Sequence, residues 1–100
     1  MKTIVALIAL ALPLAVAPAH ASQELATKSK CMTCHDVAKK KMGPSFKDIS
    51  VKYKGAKDAD DMLADGILKG SKGKWGKVPM PAQKISADDA EALAKWVLTL

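Results

Sequence analysis

Residues 31–35 read Cys31-Met32-Thr33-Cys34-His35. Two thiols three residues apart fall on one face of a helical turn, and the imidazole four beyond the first joins that face. This spacing lets each sulfur reach one vinyl group of a porphyrin while the imidazole approaches the iron from the same side. The pentad therefore reads as a c-type haem attachment site. Three other chemistries use such residues. A thioredoxin-like Cys-x-x-Cys needs a βαβ setting, and the sequence has no run of buried strands. A structural zinc usually takes four Cys or His ligands, and outside the pentad the chain has only His20. A local disulfide is chemically open, but it leaves the adjacent His35 without a task.

Upstream of the pentad, residues 1–21 have the layout of a secretory leader. Lys2 is the positive start, Ile4 to Leu12 is an apolar run, Pro13 interrupts it, and Ala19-His20-Ala21 offers small residues at the two positions a signal peptidase reads. An uncleaved membrane anchor would need about 20 consecutive apolar residues, and this run is shorter and carries prolines. Cleavage after Ala21 is expected, leaving residues 22–100 as the mature domain in the periplasm, with no stable membrane insertion. Both cysteines are then occupied by haem and form no structural disulfide, despite an oxidising compartment.

A mature chain of this length makes one small domain, of a size that usually needs a staple. Its aromatic residues are Phe46, Tyr53, Trp75 and Trp96. A covalently held porphyrin supplies the missing large apolar body, so the chain without it should be largely unfolded. The charge is basic, with sixteen Lys, no Arg and ten acids; loss of Lys2 leaves a net of +5 before the haem's own charges. A basic domain raises nucleic acid as a partner, but the absence of Arg, the usual bidentate reader of bases and phosphates, argues against it. The lysines serve either solubility or docking to an acidic redox partner.

The pattern after residue 21 is helical. Ser22 can cap a first helix running through Leu25 and Ala26 into the pentad. Met42-Gly43-Pro44 reads as a turn, either a plain loop or one that aims a carbonyl at the Nδ1 proton of His35. Phe46, Ile49 and Tyr53 recur at helical spacing and place a second helix over about 45–54, ended by Gly55. Asp58 is a candidate cap for a third, whose stripe is Ala59, Met62, Leu63, Gly66 and Ile67, closed by Gly70. Residues 70–83 carry Gly70, Gly73, Gly76, Pro79 and Pro81 and form no helix. Ser86 caps the last helix, with Asp88, Asp89 and Glu91 in its first turn and Leu93, Trp96, Val97 and Leu100 on its buried face.

An iron with one axial histidine either stays open, as in a haem enzyme or gas sensor, or takes a second protein ligand, as in electron transfer. Met32 lies inside the pentad and Met42 stands too near His35 to loop around. Met62 sits on a helical stripe, where a methionine usually fills core. Met80 stands between two prolines in a rigid loop, the setting that holds a weak thioether on a metal, and is the favoured sixth ligand.

Taken together, Cys31-Met32-Thr33-Cys34-His35, Met42-Gly43-Pro44, Trp75, Val78-Pro79-Met80-Pro81 and Ala94-Lys95-Trp96-Val97 resemble the small class I bacterial cytochromes c of the c551/c8 type. The resemblance covers the mature chain in order and spacing. It implies an all-α fold of about four helices around one covalently bound haem c, with first and last helices crossing. It implies metal ligation by His35 and Met80, orientation of His35 by the carbonyl of Pro44, and a bond from the indole of Trp75 to a haem propionate. It also implies a monomeric electron carrier without catalytic residues. Its donor would be a quinol oxidoreductase such as a bc1-type complex; its acceptor would be nitrite reductase, a terminal oxidase or a photosynthetic reaction centre. Two positions depart from the family pattern. Gln83 stands where an Asn commonly donates to the ligand sulfur, and Ala26 stands where relatives often carry an aromatic against the last helix, leaving Trp96 more of that contact to fill.

Overall fold

In the computed structural model, described over residues 8–11 and 19–100, the chain is all-α. The leader reading rests mainly on residues outside that range. Four helices follow one another: α1 (Ala19–Lys28), α2 (Phe46–Tyr53), α3 (Ala59–Lys69) and α4 (Ala87–Leu98). No helix among the described residues is long and apolar enough to cross a membrane.

The first helix differs from expectation at both ends. It begins at Ala19, so Ser22 lies inside it and not at its start. It also stops at Lys28 instead of running into the pentad. Lys30 adopts a left-handed backbone (φ 63°) that breaks the helix, and Cys31–Thr33 then forms one 3-10 turn. That break matters, because side chains at i and i+3 eclipse in a 3-10 turn. The turn lines up Cys31 with Cys34, whose N–H donates to the Cys31 carbonyl at 3.2 Å.

Ser86 caps α4 as its sequence context implies, and Ser45, expected only near the start of α2, proves to cap that helix: each hydroxyl accepts the N–H three residues on, from Asp89 and Asp48 respectively, at 3.1 Å. Asp58 does not. It occupies the position before α3 in a left-handed conformation (φ 57°) and makes no side-chain capping bond. An effective cap needs extended backbone to turn its oxygen onto the free amides.

α4 is the central element, packing against α1, α2 and α3. One core cluster joins Ala26, Phe46, Leu93, Trp96 and Val97, with Phe46 and Trp96 meeting edge to face at 5.4 Å between centroids. Ala26 is completely buried there, so the aromatic missing from α1 is replaced by the α2 and α4 rings. α3 approaches α4 closely because Ala64, Ala90 and Ala94 present only methyl groups. Among the described residues, five of the ten buried hydrophobic side chains are alanines. Such small residues let helices pack closely but leave the protein with little bulky interior of its own. Leu100 falls beyond the end of α4 and packs half-buried on the first cluster.

Candidate haem site

The pentad, α2, α3 and the loop 70–83 enclose one apolar cleft. Cys31, Cys34 and His35 line it together with Phe46, Leu63 and Ile67, and the loop adds Trp75, Val78 and Met80. The six residues expected to form the site, Cys31, Cys34, His35, Pro44, Trp75 and Met80, all border this one space.

His35 is the most constrained of them, at 8% exposure. Its N–H bonds to the Cys31 carbonyl at 3.0 Å. Its Nδ1 lies 2.7 Å from the carbonyl oxygen of Pro44, a carbonyl contact of the kind that fixes a histidine's tautomer. The ring stacks on Phe46, with centroids 5.1 Å apart and planes 25° from parallel. With Nδ1 committed to Pro44, Nε2 is the remaining ring nitrogen. The turn that supplies the carbonyl depends on Gly43: a Cβ there would stand 2.7 Å from His35 Cε1 and 2.9 Å from Nδ1.

Both cysteines are free and half-buried, with no disulfide between them. Burial pushes the Cys31 thiol above its ordinary value, against a smaller lowering by its own backbone amide. Cys34 Sγ lies 3.8 Å from the sulfur of Met42, which is otherwise exposed.

The loop bearing Met80 is anchored at its base. Ser71 and Met80 exchange backbone bonds of 3.0 and 2.9 Å, and the Gln83 N–H bonds to the Ile67 carbonyl in α3 at 2.9 Å. Gly70 permits this closure, because its φ is 85° and a Cβ would meet the Met80 carbonyl at 2.8 Å. The Gln83 side chain turns its Nε2 onto the Pro81 carbonyl at 2.8 Å. The longer amide thus stiffens the loop's own backbone. Met62 departs from its expected place in the core: it is 44% exposed and borders the same cleft as Met80. It lies on the cleft edge of its stripe, whose Leu63 and Ile67 line the cleft and also pack on α4.

The donor set and the space agree with a haem. Two unpaired thiols sit in register with a histidine held from behind, at the edge of an apolar cleft that the thin alanine core leaves unfilled. The cytochrome c family profile matches residues 19–100. Cytochrome c-552 of Hydrogenobacter thermophilus is 48% identical over 80 residues, covering 80% of this chain and 82% of that protein. Cytochrome c-551 of Stutzerimonas stutzeri is 42% identical over 101 residues, covering 99% of this chain and 97% of that one. Among solved structures, wild-type Nitrosomonas europaea cytochrome c552 superposes with a TM-score of 0.76 at 47% identity, covering 77% of this chain and 96% of that one. The site and fold define a small haem protein of the electron-transport class. The chain belongs to the cytochrome c family, as a small class I member with one haem c attached through Cys31 and Cys34.

Proposed function

We propose that this protein is a periplasmic shuttle that carries one electron at a time between larger redox proteins and catalyses no reaction of its own. When bound, the haem supplies an iron that alternates between the ferric and ferrous states. Cys31 and Cys34 would tie it to the 3-10 turn, and His35 would hold the iron through Nε2. Pro44 holds the imidazole in that tautomer through Nδ1. Met80 would hold the iron through its sulfur from its proline-bracketed loop, and the Trp75 indole would donate to a haem propionate. Two protein ligands held in place in both oxidation states would leave little to reorganise per electron, which suits a carrier better than an enzyme.

The observation that carries this reading is the fixed His35 ring, 2.7 Å from Pro44, bordering the same cleft as a methionine whose loop is tied down on both sides. Residues 1–21 act as a cleaved leader, in keeping with a covalent haem protein that works outside the cytoplasm. The lysines supply the steering charge. Lys28, Lys30, Lys39, Lys72, Lys74 and Lys77 are all exposed, and none belongs to the two ion pairs found among the described residues. Acidic faces of a quinol oxidoreductase as donor, and of nitrite reductase, a terminal oxidase or a reaction centre as acceptor, fit such a surface. The test is carbon monoxide binding to the ferrous protein at neutral pH. The carrier resists it; ready binding would assign the cleft to a haem enzyme or gas sensor with a displaceable sixth ligand.

A further inference from the structure

Lys52, in the last turn of α2, is exposed, where a lysine ordinarily does no more than solvate the surface. Here its ammonium reaches across to the loop. Nζ lies 4.4 Å from the centroid of the Trp75 ring and donates to the backbone carbonyl of Lys74 at 3.1 Å. Among the described residues this is the hydrogen bond that ties the stretch 72–79 to the rest of the protein. The Ser71–Met80 pair closes only the base of the loop. A cation over an indole face is the most favourable arrangement of its kind, and the carbonyl bond fixes where along the loop it acts.

The charge pattern gives this contact a second meaning. Lys52 joins Lys72, Lys74 and Lys77 at one loop, and none of the four forms an ion pair among the described residues. Gathering like charges is unfavourable unless an anion shares the neighbourhood. The carboxylates of a haem are such an anion.

We propose that Lys52 is a positioning residue for the haem site: it pins the Trp75-bearing stretch to α2 and sets a fixed positive charge beside the indole. This rests on the reading above that Trp75 meets a haem propionate. The contact has two separable consequences. The pin restrains the indole. The charge disfavours the more positive ferric iron, so removing it lowers the ferrous share at a given solution potential.

The experiment compares the holoprotein with Lys52→Met, which keeps the apolar stem and loses the charge, and Lys52→Arg, which keeps the charge and stacks on indole. Lys52 is exposed, so both variants should fold. Hydrogen exchange of the Trp75 indole N–H, followed by NMR, should quicken roughly three- to fivefold in Lys52→Met and stay near the unmodified rate in Lys52→Arg. The ferrous-to-ferric ratio at a fixed potential should fall roughly twofold or more in Lys52→Met and be restored in Lys52→Arg. Unchanged exchange in Lys52→Met, or an Arg variant that behaves as the Met variant does, overturns the proposal. Trp75→Phe separates it from the reading beneath. If that variant leaves the ratio unmoved while Lys52→Met still frees the loop, the propionate role of Trp75 fails and the pin stands.

Discussion

Gly43→Ala puts the His35 support to its hardest test. The added methyl would stand 2.7 Å from His35 Cε1, 2.9 Å from Nδ1 and 3.3 Å from the Cys34 carbonyl. Carbon atoms in good contact sit about 3.5–4.0 Å apart, so the overlap is roughly 1 Å. Neither side can yield freely. The ring is backed by Phe46 and tied to Pro44. Gly43 is itself held, its N–H on the Cys34 carbonyl at 2.8 Å and its carbonyl accepting from Lys41 at 3.1 Å. Overpacking of this sort costs about 1–3 kcal/mol, and loss of the ring's bond to Pro44 adds about 1 kcal/mol. At roughly 4–8 °C per kcal/mol for a domain of this size, the holoprotein should melt at least about 8 °C lower. Circular dichroism gives the midpoint, and NMR of the imidazole shows whether Nδ1 keeps its proton on Pro44. A midpoint within about 2 °C of the unmodified protein, with the ring bond intact, would refute the argument that Gly43 is there to admit the histidine.

Further outcomes follow from the geometry. The amides of Ala38 and Lys39 hold the Asp36 carboxyl below its ordinary value of 3.8. Its contribution to stability is therefore present above that pH and lost as pH falls through the lower folded value; a carboxyl titration by NMR that shows Asp36 at its ordinary value would abolish the contribution, and one above it would reverse the sign. Ser86→Ala should cost about 1 kcal/mol through loss of the α4 cap, whereas Asp58→Gly should stabilise by up to about 1 kcal/mol because it relieves a left-handed backbone and forfeits no cap; denaturant midpoints decide both. The electron-transfer rate with an acidic partner should fall as salt rises past about 0.1 M, where screening acts within roughly 10 Å. Charge reversal at Lys72 or Lys74 should lower that rate without altering the haem spectrum, and a rate flat to both would assign docking to apolar contact alone.

What the sequence disclosed was local and chemical. The pentad named its own chemistry because the two cysteines and His35 have no other economical use together. Ser86 was legible as a cap because acidic residues follow it at the head of a periodic stretch. Met80 stood out because prolines on both sides exclude it from a helix. Two of the misses share one cause, a backbone state that side-chain pattern does not reveal. Lys30 and Asp58 take positive φ without being glycine; the first cuts α1 short of the pentad, the second turns a good capping residue away from its helix. Met62 followed the helical stripe faithfully, yet it lies on the stripe's cleft edge, while Leu63 and Ile67 of the same stripe pack on α4. The tie between Lys52 and Trp75 joins residues 23 apart in sequence, and a lysine among sixteen carries no mark that singles it out.

The central claim is that Met80 closes the iron site from within the loop 70–83. Ferric protein with Met80 replaced by Ala should lose the methionine-to-iron charge-transfer band in the red and gain an iron open to added ligands. Met62→Leu, a volume-conserving change at a half-exposed cleft wall, should keep the band and cost less than about 1.5 kcal/mol. A band that survives in Met80→Ala and disappears in Met62→Leu would move the ligand to α3 and contradict the account.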